Sequence, residues 1–154
     1  MSVHYATDGF VTTIDTSGVT GLELVGGTAV LATIYEFTAG ADTATPVDEM
    51  IIYESKFLTL TGTGSATNVI TPLNNNIGKA SAASAKENMT TEGTYTANLF
   101  GFRIPMHVRA SILYQMIEGG EMVTDLVAGD GWGFVASGEI YADDVVMGIK
   151  HYEW

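Results

Sequence analysis

The chain has 154 residues, a formal net charge of -12, 46% hydrophobic residues and no cysteine. This length is typical of one domain with a sizeable core. The negative field disfavours unaided binding to nucleic acid or to an anionic membrane surface, and the lack of cysteine excludes disulfides and thiolate sites.

The N-terminal sequence MSVHYATDGFVTT has neither a basic region nor an apolar core, so it does not resemble a signal peptide. The apolar runs elsewhere are too short to span a bilayer. We therefore expect a protein that folds where it is made, in a cytoplasm, is not secreted and has no membrane partner.

Short alternating segments open the chain, and turn residues separate them, which is the pattern of β-strands. Strands are predicted at 22–25 and 29–38, with the pair Gly26-Gly27 between them. Two glycines between apolar runs predict a tight hairpin, since glycine reaches positive φ without a steric penalty. Glu36 and Thr38 predict that the end of the second strand emerges into water.

A further strand is predicted at 49–60, after the loop-forming sequence AGADTATPVD. Glu54, Ser55 and Lys56 lie in its middle, between apolar ends. The sequence thus predicts that this middle is exposed on at least one side of the sheet.

The stretch 58–98 is rich in Thr, Ser, Ala, Asn and Gly, and has only four charged residues. It predicts one long polar loop, or arm, at about 61–94, with loop or a short helix at 79–88. Two alternatives are open: an arm that lies on a neighbouring subunit, which we favour, or a loop draped over its own domain. If the arm lies on a neighbouring subunit, we expect that replacing it by a short linker leaves the sandwich folded. The candidate partner-binding residues of the arm are Val69, Ile70, Leu73, Ile77 and Met89.

Strand patterns return after the arm, at 95–105, 108–117, 122–127, 134–141 and 145–154, with glycine turns between several of them. No segment shows a sustained helical period with caps. The pattern predicts a single all-β domain over 1–154, an antiparallel β-sandwich or jelly roll of eight to ten strands with one long polar arm.

The sequence contains few residues in patterns typical of catalysis or metal binding. The three histidines lie far apart in the sequence, so exposed or singly hydrogen-bonded imidazoles are expected, and no nucleophile or metal motif is present. The carboxylate pairs Asp143 with Asp144, Asp130 with Glu139, and Asp8 with Asp15 offer weak alternatives for a Ca²⁺ site or for a catalytic pair. We expect no enzyme, no catalytic residue, no cofactor and no metal.

Aromatic residues gather in the last quarter of the chain, at Trp132, Tyr141, Tyr152 and Trp154. Most of them fit the packing of strands, where aromatics are common. Trp154 differs, because a terminal tryptophan in a monomer is commonly frayed and exposed. It is therefore predicted to be buried against a partner.

The segments LATIYEFT, MIIYESKFLTLTGTGSATNVITPLN, NLFGFRIP and SGEIYADD occur in an order that resembles the small β-sandwich structural proteins of tailed-bacteriophage virions. Capsid decoration or cement proteins are the closest type. The resemblance implies a non-enzymatic protein of the virion that binds the major capsid protein, or another virion protein, on the outer surface of the head. It also implies a homo-oligomer, with a trimer favoured. The added segment VVMGIKHYEW departs from the pattern.

The same features are compatible with a carbohydrate-binding or tail-associated β-sandwich module. A carbohydrate-binding module requires exposed coplanar aromatics on one face, such as Tyr35, Tyr53 or Trp132. A hydrolase is the third alternative.

Overall fold

A computed structural model describes residues 3–42, 49–73, 79–127, 129–139 and 144–154. Within these ranges the chain forms twelve strands and no helix, so the predicted all-β antiparallel sandwich is confirmed. The strands are β1 Val3–Val11, β2 Val19–Val25, β3 Ala32–Asp42, β4 Met50–Leu60, β5 Thr63–Asn68, β6 Thr71–Pro72, β7 Ser84–Thr91, β8 Thr94–His107, β9 Ile112–Gln115, β10 Met122–Val123, β11 Gly131–Gly138 and β12 Asp144–Glu153.

The strands make two antiparallel sheets that pack face to face. Sheet A has the order β10-β3-β12-β1-β6, and β9 also pairs with β3. Sheet B has the order β5-β7-β2-β11-β4-β8. Both sheets mix strands from distant parts of the chain, so most of the pairing is between residues far apart in sequence.

The centre of sheet A is the long pair of β1 and β12, which runs in register from Val3 opposite Glu153 to Val11 opposite Val145. Alternate side chains of both strands turn inward, as the period of two in a strand requires. On β12 these inward residues include Val145, Met147 and Ile149, all buried in the core.

Three phenylalanines join the two sheets in the core. Phe37 of sheet A stacks on Phe134 of sheet B with ring centroids 5.3 Å apart, and it contacts Phe102 of sheet B at 4.8 Å. Burying a side chain of this size contributes about 1.5–3 kcal/mol relative to leaving it exposed. This aromatic cluster therefore holds the sheets together at the level of β3, β8 and β11.

At Gly9 the backbone of β1 approaches the facing sheet closely. A Cβ at this position would lie 2.7 Å from the carbonyl oxygen of Gly21 and 3.1 Å from a methyl group of Leu22, both on β2. Glycine is required here because any side chain would push β1 away from β2.

The region predicted to be one polar arm, about 61–94, contains β5, β6 and β7. β7 pairs with β2 from Leu22 opposite Glu87 to Val25 opposite Ser84, and β5 pairs with the other edge of β7. Ala85 and Met89 are buried. The prediction of a structureless loop is therefore wrong for these strands. The prediction of a loop or a short helix at 79–88 is likewise wrong for the part of that range that lies in β7. The segment is ordered by pairing with its own domain, which its low apolar content did not indicate.

The chain between β5 and β7 closes one side of the sandwich. It leaves sheet B after β5, pairs with β1 through β6, and returns to sheet B. The hydroxyl of Thr7 donates to the carbonyl of Val69 at 3.2 Å, the N–H of Leu73 donates to the carbonyl of His4 at 2.8 Å, and the hydroxyl of Tyr5 donates to the carbonyl of Lys79 at 3.2 Å.

The opposite side has no such cover among the described residues. There β8 forms the edge of sheet B, and β9 and β10 form the edge of sheet A. Phe102 of β8 contacts Tyr114 of β9, with ring centroids 5.2 Å apart. We call this the open side, made by β8, β9, β10 and the connection between β9 and β10.

The prediction of a tight hairpin at Gly26-Gly27 is also wrong. β2 belongs to sheet B and β3 to sheet A, so the chain crosses between the sheets at this point. A small turn is present there, in which the N–H of Val30 donates to the carbonyl of Gly27 at 3.4 Å. Glycine was a correct indication of a turn, but a turn alone does not say that its flanking strands pair.

In the middle of β4, Glu54 and Ser55 are buried, not exposed as predicted, while Lys56 is half-buried. Glu54 is ion-paired with the Nε of Arg103 at 2.7 Å and with the Nζ of Lys56 at 3.1 Å. Ser55 accepts a hydrogen bond from the N–H of Phe102 at 2.8 Å. Neighbouring strands therefore satisfy both polar side chains, which is what allows them to be buried.

Candidate binding face on sheet A

The outer face of sheet A carries aromatic, charged and amide side chains. Since β1 turns alternate residues outward, His4, Ala6 and Asp8 share this face. On the neighbouring β12 the same face carries Tyr152, Lys150 and Gly148, which lie opposite them in the register. We call this surface the sheet A face.

A β-bulge on β3 adds an aromatic residue to the sheet A face. Lys150 of β12 pairs with Glu36, but the next residue, His151, pairs with Ile34, so Tyr35 has no opposite residue. An extra residue of this kind re-aims its side chain. Tyr35 and Glu36 consequently both face outward, as their contacts show.

The aromatic end of the face is formed by His4, Tyr35 and Tyr152. The ring centroids of His4 lie 5.5 Å from Tyr35 and 5.6 Å from Tyr152, and those of the two tyrosines are 6.1 Å apart. His4 Nδ1 and the Tyr35 hydroxyl are hydrogen-bonded at 3.3 Å. Burial raises the pKa of Tyr35, so its hydroxyl stays protonated and can donate.

Trp154 extends this end. Its backbone bonds reciprocally with Leu31, and its indole Nε1 donates to the hydroxyl oxygen of Thr33 at 2.8 Å. The side chain is nevertheless 66% exposed. The indole is thus fixed by one hydrogen bond while most of its surface stays in water.

A polar row crosses the face next to the aromatic end. Lys150 Nζ lies 2.6 Å from Glu36 Oε1, and Gln115 Nε2 of β9 donates to Glu36 Oε2 at 3.1 Å. The hydrogen bond from Lys150, followed by that from Gln115, lowers the pKa of Glu36, while Glu36 raises the pKa of Lys150. Glu36 lies on the outer face but is buried under these two side chains, so it does not emerge into water as predicted, whereas Thr38 does.

A shallow depression lies beside the polar row, with a volume of about 390 Å³. Small residues, Ala6 and Gly148, leave space on its floor, while Asp8 and Thr38 stand at one end. A Cβ on Gly148 would approach the Thr38 hydroxyl to 2.7 Å, so a larger residue at this position would fill the depression. The arrangement suits non-covalent binding of a ligand that stacks on rings and accepts several hydrogen bonds.

The residues predicted as partner-binding are dispersed. Val69 is 78% exposed and lines the depression, and Leu73 is exposed just beyond β6. Ile70 is half-buried against the core, and Met89 is buried within sheet B, so neither offers a free anchor to a partner. Ile77 lies outside the described residues.

Among the aromatics proposed for a carbohydrate platform, Tyr53 and Trp132 are buried and cannot stack with a ligand. Only Tyr35 reaches the surface, and its neighbours His4 and Tyr152 were not singled out with it. The register of β1 against β12 brings them together. A signal existed in the alternation of His4, Ala6 and Asp8, since every second residue of a strand shares a face.

The open side carries a second candidate surface, which is apolar. Leu99 and Phe100 on β8, Val123 on β10 and Ile117 in the connection before it are all exposed, Ile117 at 81%. Arg103, one of only two arginines in the chain, also lies on β8, with a largely exposed side chain. This side therefore groups several exposed large apolar side chains, with Arg103 beside them and Glu118 and Glu121 in the connection before β10.

A buried polar cluster lies on the outer side of sheet B. Glu23 has no exposed surface, and burial raises its pKa to about 7, a rise to which Glu92 adds slightly. The carboxylate of Glu92 accepts bonds from the N–H of Thr20 at 3.0 Å and from its hydroxyl. The hydroxyl of Tyr95 contacts that of Thr20, and burial raises its pKa as well. The strand ends around residues 62 and 93 cover the carboxyl group of Glu23, so that group is closed to a ligand, while Glu92 itself is exposed.

His151 is buried against Tyr5, with ring centroids 5.4 Å apart, so the expectation of an exposed or singly bonded imidazole is wrong for this residue. Its Nε2 lies 3.6 Å from a carboxylate oxygen of Glu153. Burial lowers the pKa of His151, although Glu153 opposes the shift. Burial would raise the pKa of Glu153, but its hydrogen bonds from the N–H of Ala82 and from Ser81 lower it overall.

Comparisons with family models, with curated proteins and with solved structures find no match for this chain. Among the described residues, no group of three or more His, Cys, Asp or Glu could hold a metal ion. The described ranges also contain no helix of the length and apolarity that crossing a membrane requires. The sheet A face and the open side are therefore the features of the molecule that bear on its function.

Proposed function

We propose that the protein is a structural protein of a tailed-phage virion, a capsid decoration or cement protein that binds the outer surface of the head. The observation that carries the proposal is the apolar open side, where Leu99 and Phe100 of β8, Val123 of β10 and Ile117 before β10 are all exposed. A group of exposed large apolar side chains on one side of a small domain is typical of a protein–protein interface. The resemblance of the sequence to virion β-sandwich proteins supports the choice of partner.

The charge of the molecule favours apolar docking over ionic docking. Copies with a net charge of -12 repel one another, so close packing on a lattice needs apolar contact, bridging cations or a basic partner surface. Fully burying one large apolar side chain contributes about 1.5–3 kcal/mol, whereas an exposed ion pair contributes about 0–1 kcal/mol. Binding through the open side is therefore expected to survive several hundred millimolar salt.

The edge strand β8 supports association between copies. It runs 14 residues, Thr94–His107, and carries no charged side chain before Arg103. Natural edge strands are protected by charges, proline or bulges. β8 has Pro105 and irregular register against β4, but its stretch before Arg103 carries no charge, and such an edge can pair with a strand of another chain. We propose a homo-oligomer on the particle, with a trimer favoured, in which β8 lies at or near the contact between copies.

The test uses density-banded particles from the lysate in which the chain is made, probed with an antibody against the recombinant protein. We expect the chain to band with the particles in a fixed copy number and to stay bound in several hundred millimolar salt. A variant with Phe100→Ser and Ile117→Ser should no longer bind particles that lack the wild-type chain. Val69→Ser, an exposed apolar substitution on the other side of the sandwich, is the matched control and should bind normally.

Two results would contradict the proposal. One is recovery of the chain only in the soluble fraction of the lysate. The other is affinity that collapses between low and moderate salt, because this would move the interaction from the apolar open side to charged groups.

A further inference from the structure

We propose that the sheet A face, from Trp154 to Asp8, is a binding site for a neutral saccharide. This activity goes beyond particle binding and uses a different surface from the open side. It rests on the aromatic end, the polar row and the depression beside that row.

The β-bulge indicates that the aromatic end is built for a purpose other than packing. Ile34 points inward and Glu36 outward, so β3 would keep its alternation if Tyr35 were absent. Tyr35 is therefore an added residue that the core does not use. Its effect is to place a tyrosine ring beside His4 and Tyr152 on the outer face, and bulges commonly re-aim side chains at functional sites.

The polar row is held in place before any ligand arrives. Glu36 is fixed from both sides, by Lys150 at 2.6 Å and by Gln115 at 3.1 Å. An ammonium group has three N–H donors, and a carboxamide has an oxygen acceptor besides its two donors. Lys150 and Gln115 can thus bond sugar hydroxyls while they keep their contacts with Glu36, and this preorganisation reduces the entropy lost on binding.

The dimensions of the face fit a short oligosaccharide. His4 and Asp8 are four residues apart on β1, which corresponds to about 14 Å along a strand. Between them the depression has the small residues Ala6 and Gly148 on its floor. The apolar face of one sugar ring can stack at the aromatic end while the hydroxyls of the next reach Lys150, Asp8 and Thr38.

The charge of the sheet A face and of the whole molecule favours a neutral ligand. Across the face, Lys150 is balanced by Glu36, which leaves Asp8 and a formal charge of -1, in a molecule whose net charge is -12. Uronic acids, sulfated glycans and nucleic acids would all be repelled by this field. An apolar peptide is disfavoured as well, because the row of Gln115, Glu36 and Lys150 would lose hydration without gaining partners.

The test is affinity electrophoresis in native gels that contain dextran, mannan, xylan or mixed-linkage β-glucan, with alginate as the anionic comparison. We expect at least one neutral polysaccharide to retard the protein and alginate to have no effect. Trp154→Ala should weaken retardation about tenfold or more, since its exposed ring supplies stacking surface. Deletion of Tyr35 should weaken retardation similarly and leave the circular dichroism of the sandwich unchanged.

Phe100→Ser is the matched control, because it removes an exposed aromatic from the open side. Together with Ile117→Ser it should lose particle binding and keep saccharide retardation, whereas Trp154→Ala should do the reverse. This opposite pair of outcomes separates a failure of the saccharide site from a failure of the proposed virion role.

Tryptophan fluorescence gives an independent reading. Trp132 is buried and Trp154 is exposed, so acrylamide should quench mainly Trp154. The retarding polysaccharide should protect Trp154 from quenching, and protection should disappear in Trp154→Phe. The proposal is overturned if no neutral polysaccharide retards the wild type, or if Trp154→Ala and the Tyr35 deletion bind as the wild type does.

Discussion

The backbone N–H of Gly62 donates to both carboxylate oxygens of Glu23, at 3.3 and 3.2 Å. Gly62 follows β4, and Glu23 lies in the middle of β2, so this contact fastens the β4–β5 connection onto sheet B. Lys86 of β7 donates to the carbonyl of the same glycine at 2.9 Å. The fully buried carboxyl group is thus part of the attachment of the region around β5 and β7.

Replacing Glu23 by glutamine should stabilise the protein at high pH. Burial raises the pKa of Glu23 from 4.5 to about 7 in the folded state. The unfolded state therefore loses this proton first, and stability falls as the pH rises from 4.5 to 7. Removing the titration should recover up to about 3 kcal/mol at pH 8 and little at pH 4.

Urea unfolding of Glu23→Gln and the wild type at pH 4, 6 and 8 measures this difference. Glu118→Gln, in an exposed position, is the control and should change stability by less than about 0.5 kcal/mol. If the stability difference between Glu23→Gln and the wild type were the same at pH 4 and pH 8, the pKa of Glu23 would not be raised in the folded state.

His151 should make the fold sensitive to acid. Its folded pKa lies below the value of 6.5 for the free side chain, since burial outweighs the attraction of Glu153, and His4 adds a small repulsion. The unfolded state then binds the proton first, so stability is lost as the pH falls below 6.5. His151→Phe keeps a ring against Tyr5 and should flatten this loss.

Because Glu23 and His151 act in opposite directions over the same pH range, His151→Phe is best compared in the Glu23→Gln background. The measurement is the urea midpoint between pH 7 and pH 5. An unchanged slope in the double variant would show that other groups cause the acid sensitivity.

Gly9→Ala should destabilise the sandwich by about 1–3 kcal/mol, the usual range for overpacking. The added methyl group would lie 2.7 Å from the carbonyl oxygen of Gly21, on the facing sheet. Gly40→Ala is the matched control within β3, because its Cβ would meet only Ser111, at 3.6 Å or more. It should be neutral or slightly stabilising. Thermal melts distinguish the two, and equal melting temperatures would exclude the close approach at Gly9.

Deletion of about 61–94 should abolish cooperative folding. It removes β5, β6 and β7, exposes the edge of β2, and takes the buried Ala85 and Met89 out of the protein. This reverses the expectation for a loop that makes only intermolecular contacts. Circular dichroism and a urea transition measure the outcome, and a deletion variant with a full cooperative transition would show that β7 is dispensable.

Much of the fold could be predicted because the strands around β1, β3, β4 and β12 alternate or are rich in β-branched and aromatic residues. β7 could not, since SAKENMTT has few such residues and becomes a strand by pairing with β2. Strand preference depends strongly on what a segment packs against. Only Ala85 and Met89, four residues apart, mark its buried side.

The candidate site was less predictable, for two physical reasons. Tyr35 faces outward because of a bulge, and a single inserted residue has no signature in composition. His151 and Glu153 continue the inward side of β12 after Val145, Met147 and Ile149, although polar residues at a strand end normally indicate exposure. Strand geometry decides which way a side chain points, and the surroundings then supply its partners.

The register of β1 against β12 also sets how the molecule would respond to mechanical load. Val3 pairs directly with Glu153, and the ladder runs away from both of them toward Val11. A force that separated these two residues would peel the hydrogen bonds of the ladder one after another, starting beside Trp154. A pull between Val3 and Val145 would instead load the whole ladder in shear, and the same sandwich should then resist a far larger force.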